Sequence, residues 1–392
     1  MEALTTSLST EAPATDAAPD ATAPRRVGPA YGVWRRTLHH HFWLLVCSAL
    51  YVLASWYTVA HTPAAQFDTS HNWRIWYSYS SPLMLGLILG LFVNVVVIHH
   101  PRRPLLWLWR DVRFMFTWPQ LATGLLTLFL FAPVAHYCMQ LKSLLPYINP
   151  INHDLALSQI DLWLGGGHYP HEYLSFLTSA SWRYKTLSAF YGAAWICMTL
   201  SVFAYTAFVS VEGFRKSRFL LAYSLCWMLL GSVAAIALNS GGPMFFHDYT
   251  GLTTYDGFVQ HLRAMSGDTA WTAYAVAQTL GGDLPAGLPA PPGRGISAMP
   301  SLHVATAFLV VLHAWRAGRL QRLLASLYCV AIYIGSIALG WHYAIDGIAS
   351  VVLTLGVWWL ADQLTRSQPR VIARLSQYRL FRTARAAGAR PS

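Results

Sequence analysis

Long apolar blocks alternate along the chain with short polar connections. Blocks at about 42–60, 82–98, 120–138, 187–209, 219–239, 298–315, 321–340 and 343–361 each come near the ~20 residues that cross a bilayer as a helix. The pattern predicts an all-α fold, a polytopic membrane bundle of about eight transmembrane helices. Residues 1–30, rich in Ala, Pro and Thr, contain no apolar block and read as a disordered tail rather than a signal peptide. Residues 31–180 then hold the first transmembrane helices. The same stretch includes a segment at 152–176 that mixes Leu, Ile and Trp with acids, as an interfacial helix on the outer face does. That helix could cover a site or lie passively on the surface. Residues 181–365 carry the remaining spans, and 366–392 form a basic tail.

Composition agrees with this pattern. Hydrophobic residues make up 55% of the chain and charged residues 11%, against roughly 25% charged in a soluble domain. The net charge of +11 is distributed by topology. With the N-terminus in the cytoplasm, the cytoplasmic segments hold 21 of the 27 Lys and Arg, seven of them after Leu364. Both termini are therefore expected inside and the loop at about 240–297 outside. No soluble basic module is visible, so nucleic acid is not an expected partner; the bilayer is.

Two histidines fall on the outer side at similar depth. His303 opens the sixth block in "AMPSLHVA", and His342 stands in "GWHYAID" where the chain returns. His342 and Asp346 are spaced i, i+4 and can touch on a helix. A carboxylate in an apolar span is costly and marks a functional site by default. By accepting a hydrogen bond from one ring nitrogen, it leaves the other free to attack. Pro300 suits the first turn of a helix, and the following amides of Ser301, Leu302 and His303 are then unpaired donors facing outward, an anion site. Each feature also has a plain structural reading: Ser301 as a helix cap, His303 as an interfacial histidine, His342–Asp346 as a pair that tightens two helices.

These two stretches together resemble the second and third motifs of the type 2 phosphatidic acid phosphatase (PAP2) superfamily. The resemblance covers about residues 230–360. Pro-Ser-Leu-His at 300–303 is most similar to the branch of inositol phosphorylceramide synthases and related bacterial membrane proteins. The resemblance implies a PAP2-like helical core over 181–365. It implies His342 as nucleophile forming a phosphohistidine, Asp346 as its orienter and His303 as general acid. It also implies no metal and no cofactor.

The chain departs from the ordinary phosphatases in two places. Their first motif, with its lysine and arginine, is missing, and the fifth block ends instead in "NSGGPMFFHDY". Asn239, Ser240 and the backbone of Gly241 and Gly242 are candidates to line the site there, and Pro243 ends the helix. Gly-Gly-Pro also signals a simple helix stop. Ser336 stands where an arginine usually precedes the third motif. Phosphate charge must then be met elsewhere; Arg263 and Arg294 are the arginines of the outer loop, and Arg294 is nearer Pro300. The expected phosphate contacts are thus Ser301, Leu302, Arg294, Asn239 and Gly242.

The resulting expectation is an integral membrane enzyme, in a bacterial inner membrane, with its site facing the periplasm. It moves a phosphoryl or phosphoryl-headgroup unit from a phospholipid substrate to an alcohol. The alternative enzyme hydrolyses phosphatidate or isoprenyl diphosphate. A histidine-ligated haem or metal protein, or a transporter, is the alternative outside enzymes.

Overall fold

The computed structural model describes residues 37–62, 85, 88–92, 103–211, 213–281 and 295–386, with side chains as far as 373. Among them there are helices and no strands. The longer helices are α1 (Phe42–His61), α2 (Pro104–Met115), α3 (Trp118–Ile148), α4 (Asp154–Leu164), α5 (Ser181–Phe208) and α6 (Phe214–Ala237). They continue with α7 (Asp256–Ser266), α8 (Ala273–Gly281), α9 (Leu302–Ala314), α10 (Arg319–Ala338) and α11 (Ala344–Ala386).

Six of these are long and apolar enough to cross a membrane: α1, α3, α5, α6, α10 and the Ala344–Ala373 part of α11. The expected block at 82–98 lies mostly outside the described residues. The sixth block, expected over 298–315, shortens to the 13 residues of α9. Its start is displaced because Ser301 is the N-cap, extended at φ −73° and ψ 109°, with its hydroxyl accepting from the Val304 amide. Pro300 consequently precedes the cap and does not occupy the first turn. The third block ran to 138 on hydropathy, yet α3 continues to Ile148 through Pro133 and Pro146. That extension is amphipathic rather than wholly apolar: Leu141 and Leu144 bury against Val59 of α1 while polar residues intervene.

Helix α6 is central. Phe219, Leu220, Leu221, Ala222 and Tyr223 are all buried, and Tyr223 packs with Phe131 of α3 and Phe203 of α5 at ring separations of 5.3 and 4.6 Å. Aromatic contacts at these distances add to the area term. Arg218 of α6 is tied to Asp362 of α11 at 2.6 Å, and Asp362 also accepts from Arg366 at 2.6 Å. Leu53 and Trp56 of α1, Leu327 of α10 and Trp359 of α11 point outward. An apolar exterior is what helices immersed in lipid present, because their backbone groups are already paired internally.

Helix α4 does not follow the ordinary surface pattern. Asp154, Leu157, Ser158 and Asp161 form its buried face, whereas Leu155, Ile160 and Trp163 are exposed. Its two acids point inward with Leu157, while Leu155, Ile160 and Trp163 face outward.

Candidate active site

Helix α10 ends at Ala338, and the chain turns before α11 begins at Ala344. The Ser336 carbonyl accepts the amides of Trp341 and His342 at 3.1 and 3.2 Å, which fixes the backbone at the histidine. His342 Nδ1 lies 2.7 Å from the Ala298 carbonyl and 3.4 Å from Asp346 Oδ2. Both neighbours are acceptors, so Nδ1 carries the hydrogen and the lone pair resides on Nε2. The i, i+4 contact expected of Asp346 is present, but the shorter bond goes to Ala298, a partner the spacing did not suggest. Asp346 is fully buried, and its Oδ2 also accepts from the Tyr343 amide at 3.0 Å.

His303, at the second position of α9, comes to the same place. Its ring centroid is 6.4 Å from that of His342. It lies between Tyr191, nearly parallel at 4.6 Å, and Trp195 at 3.9 Å. Trp195 is itself held by a bond from Nε1 to Thr306 Oγ1 at 3.0 Å. Tyr191 sits in a π-helical stretch of α5, Phe190–Ala194, and such bulges re-aim side chains inside an otherwise regular helix. Ser301 is buried as the cap of α9, and the amides of Leu302 and His303 have no acceptor among the described residues.

The segment after α6 is committed to internal bonds. Asn239 is buried, donating from Nδ2 to the Asn149 carbonyl at 2.6 Å, and its own carbonyl faces His153 Nδ1 at 3.1 Å. The amides of Gly241 and Gly242 both donate to the Asp154 carboxylate at 2.8 Å, so the Gly242 amide is engaged by α4 and not turned to a ligand. Gly242 has φ +80°, and a Cβ there would come within 2.6 Å of the Trp341 carbonyl. Glycine is required by this close approach to the His342 turn. Ser240 joins the same seam, its carbonyl accepting from Ala298 N at 2.9 Å and its hydroxyl from Met299 N at 3.1 Å.

Helix α4 is the element whose role sequence reasoning missed. Asp154 accepts a third bond, from the Tyr343 hydroxyl at 2.8 Å. Asp161 accepts the amides of Ala344 and Ile345 at 2.7 and 3.0 Å. Those amides begin α11, where helix donors lack internal partners and the dipole favours an anion. The two aspartates therefore brace the peptide on both sides of the His342 turn. Burial lifts the Asp161 carboxyl to about 6 against the pull of its two amides, and burial raises Asp154 in the same direction. The signal was present in the sequence: Asp154 and Asp161 are spaced i, i+7, two turns apart on one face.

His303 and His342 line one end of a cavity of about 560 Å³. Its walls are mostly apolar and descend along α3 from Lys142 to Leu128, a run of about 21 Å at 1.5 Å per residue. Trp227 and Gly231, in the second π-helical stretch (Cys226–Ala234), form the opposite wall. Leu302 lines the cavity, whereas Ser301, Asn239 and Gly242 do not. Arg263 is exposed on α7 and away from it, and Arg294 lies outside the described residues. Lys142, which sequence reasoning left unassigned, is in the wall beside the histidines.

The fold and the site define a polytopic helical membrane protein with a His–His–Asp centre at one end of an apolar cavity. A family model described as PAP2 superfamily matches residues 155–360, more than half of the chain, and the protein belongs to that superfamily. The matched segment starts within α4. No curated protein and no solved structure matches the chain.

Proposed function

We propose that this protein is a lipid phosphotransferase in which His342 Nε2 attacks phosphorus. The observation that carries the reading is the meeting of His342, His303 and Asp346 at the mouth of a chain-sized apolar cavity. In the first step the Nε2–P bond forms and the bond from phosphorus to the leaving oxygen breaks. His303 gives that oxygen its proton. In the second step an acceptor hydroxyl attacks phosphorus, its proton passes to His303, and the P–N bond breaks. Splitting one displacement in two is the gain of covalent catalysis. The Ala298 carbonyl and Asp346 stabilise the positive charge that develops on the His342 ring. The amides of Leu302 and His303 are placed to accept charge from phosphoryl oxygens.

The cavity supports a lipid donor, because an alkyl chain laid along α3 places its phosphate at the histidines. Transfer to an alcohol, as in the inositol phosphorylceramide synthase-like branch, is favoured over hydrolysis by Pro-Ser-Leu-His at 300–303 and by the apolar walls, which hold little water. Positive charge concentrated at the other end of the helices supports a site on the exoplasmic side, periplasmic if the host is a bacterium. The test is incubation with a panel of labelled phospholipids, with and without alcohols including inositol. A new phosphorylated product that appears only with an alcohol is expected. Free phosphate formed at the same rate regardless of alcohol would make the enzyme a phosphatase.

A further inference from the structure

A phosphate ester brings negative charge into the cavity, and two histidines beside a carboxylate are a poor match for it. Among the described residues that line the cavity, Lys142 is the one Lys or Arg. It sits on α3 six residues before the helix ends, about 9 Å below the outer end. Its ammonium has no carboxylate or hydrogen-bond partner among the described residues, and it shares the cavity lining with His303 and His342.

Its position is fixed from two sides. Gly295, at φ +126°, passes so near that a Cβ would fall 2.3 Å from the Lys142 carbonyl oxygen and 2.9 Å from Ser143 Cα. The strand of chain leading into Pro300 and His303 is thus laid directly over α3 at Lys142. On the other side, Asn149 donates to the Ile236 carbonyl at 2.7 Å, and Cys138 donates to the Gly231 carbonyl at 3.5 Å. Both bonds hold the outer part of α3 against α6. An ammonium kept without a counter-ion in an apolar wall is expensive. A bound anion offsets that cost.

We propose that Lys142 is the cation that binds the substrate phosphate, so that the site reaches beyond the family-matched segment into α3. The inference rests on the phosphotransfer reading above. It gives the missing basic residues of the matched segment a replacement from a different helix.

The test measures binding of inorganic phosphate and of dodecyl phosphate to the detergent-purified full chain, for wild type, Lys142→Met, Lys142→Arg and the control Leu327→Ala. Wild type should bind dodecyl phosphate more tightly than inorganic phosphate. Equal affinities would assign the site to free phosphate and leave the role of Lys142 intact. Lys142→Met should weaken both ligands about 10- to 100-fold, the range of a hydrogen bond to a charged group. Lys142→Arg should stay within a few-fold of wild type, as should Leu327→Ala on the exposed face of α10. Unchanged binding in Lys142→Met would overturn the proposal alone, whereas no binding by wild type would overturn the phosphotransfer reading with it. Ligand-free Lys142→Met should melt no lower than wild type, because it loses a buried unpaired charge. A lower melting temperature would mean that the ammonium has a structural partner, and would also overturn the proposal.

Discussion

His342 Nδ1 is bonded to the carbonyl of Ala298 across 2.7 Å, and this contact joins the two halves of the site. Ala298 lies five residues before His303, so the peptide that leads to one histidine sets the tautomer of the other. The two histidines are consequently positioned by one segment. Their roles nevertheless separate on substitution. His303→Ala should lose roughly 10²–10⁴-fold in turnover, as loss of general acid catalysis does. A substrate whose leaving group is too acidic to need protonation should recover much of that loss. The same substrate should recover nothing in His342→Ala. Steady-state rates with a matched pair of poor and good leaving groups decide this, and rescue of His342→Ala in place of His303→Ala would exchange the two roles.

Asp161 gives the site a pH dependence of defined sign. Its folded pKa, about 6, lies above its ordinary value of 3.8. The folded state therefore binds more protons than the unfolded state between those limits, and stability falls as pH rises through the window. The lift corresponds to about 3 kcal/mol across the full range. Asp161→Asn should be less stable than wild type at every pH, because an amide nitrogen then faces one of the two helix amides. The gap should widen as pH falls from 7 to 4. Thermal melts of the two proteins in parallel check it; a gap that narrows on acidification would contradict the assigned sign.

Turnover is expected to survive EDTA, since the attacking nitrogen, its orienting acceptors and the proton donor are all side chains or backbone of the chain itself. Assays before and after chelation, with Mg²⁺, Mn²⁺ and Zn²⁺ added back, measure this directly. Loss in EDTA with recovery on one ion would require a different mechanism.

A cysteine introduced at Asp268, exposed in the turn between α7 and α8 on the side of the histidines, reports sidedness. An impermeant thiol reagent should label Asp268→Cys in intact cells. Labelling only after lysis would place the histidines on the cytoplasmic side.

The helices and the pair of histidines were legible because each rests on a local pattern. Apolar blocks of bilayer length gave the spans, and the i, i+4 relation of His342 and Asp346 survives as a contact. The supporting residues were hidden for a different reason. Ala298 contributes a carbonyl, which every residue has, so no residue type marks it. Asp154 and Asp161 look like the polar face of a surface helix, and only tertiary packing turns that face inward onto Gly241, Gly242, Ala344 and Ile345. Lys142 falls just beyond an apolar run, and no motif marks it. Hydropathy ends a helix where polarity begins, although α3 continues because Leu141, Leu144 and Leu145 still find a buried face. The Gly242 amide is expected at phosphate because its segment stands where the first motif of the family would lie, and the carboxylate that occupies it is 88 residues away.

The covalent intermediate on His342 is the centre of the account, and it can be trapped. Purified protein is mixed with ³²P-labelled phospholipids, quenched within a turnover into alkaline denaturant, where a phosphohistidine persists, and digested for peptide mapping. The label should appear on the peptide that contains His342, disappear on acid treatment and be absent from His342→Ala. Label on any other residue, or a His342→Ala protein that still turns over and still labels, would contradict it.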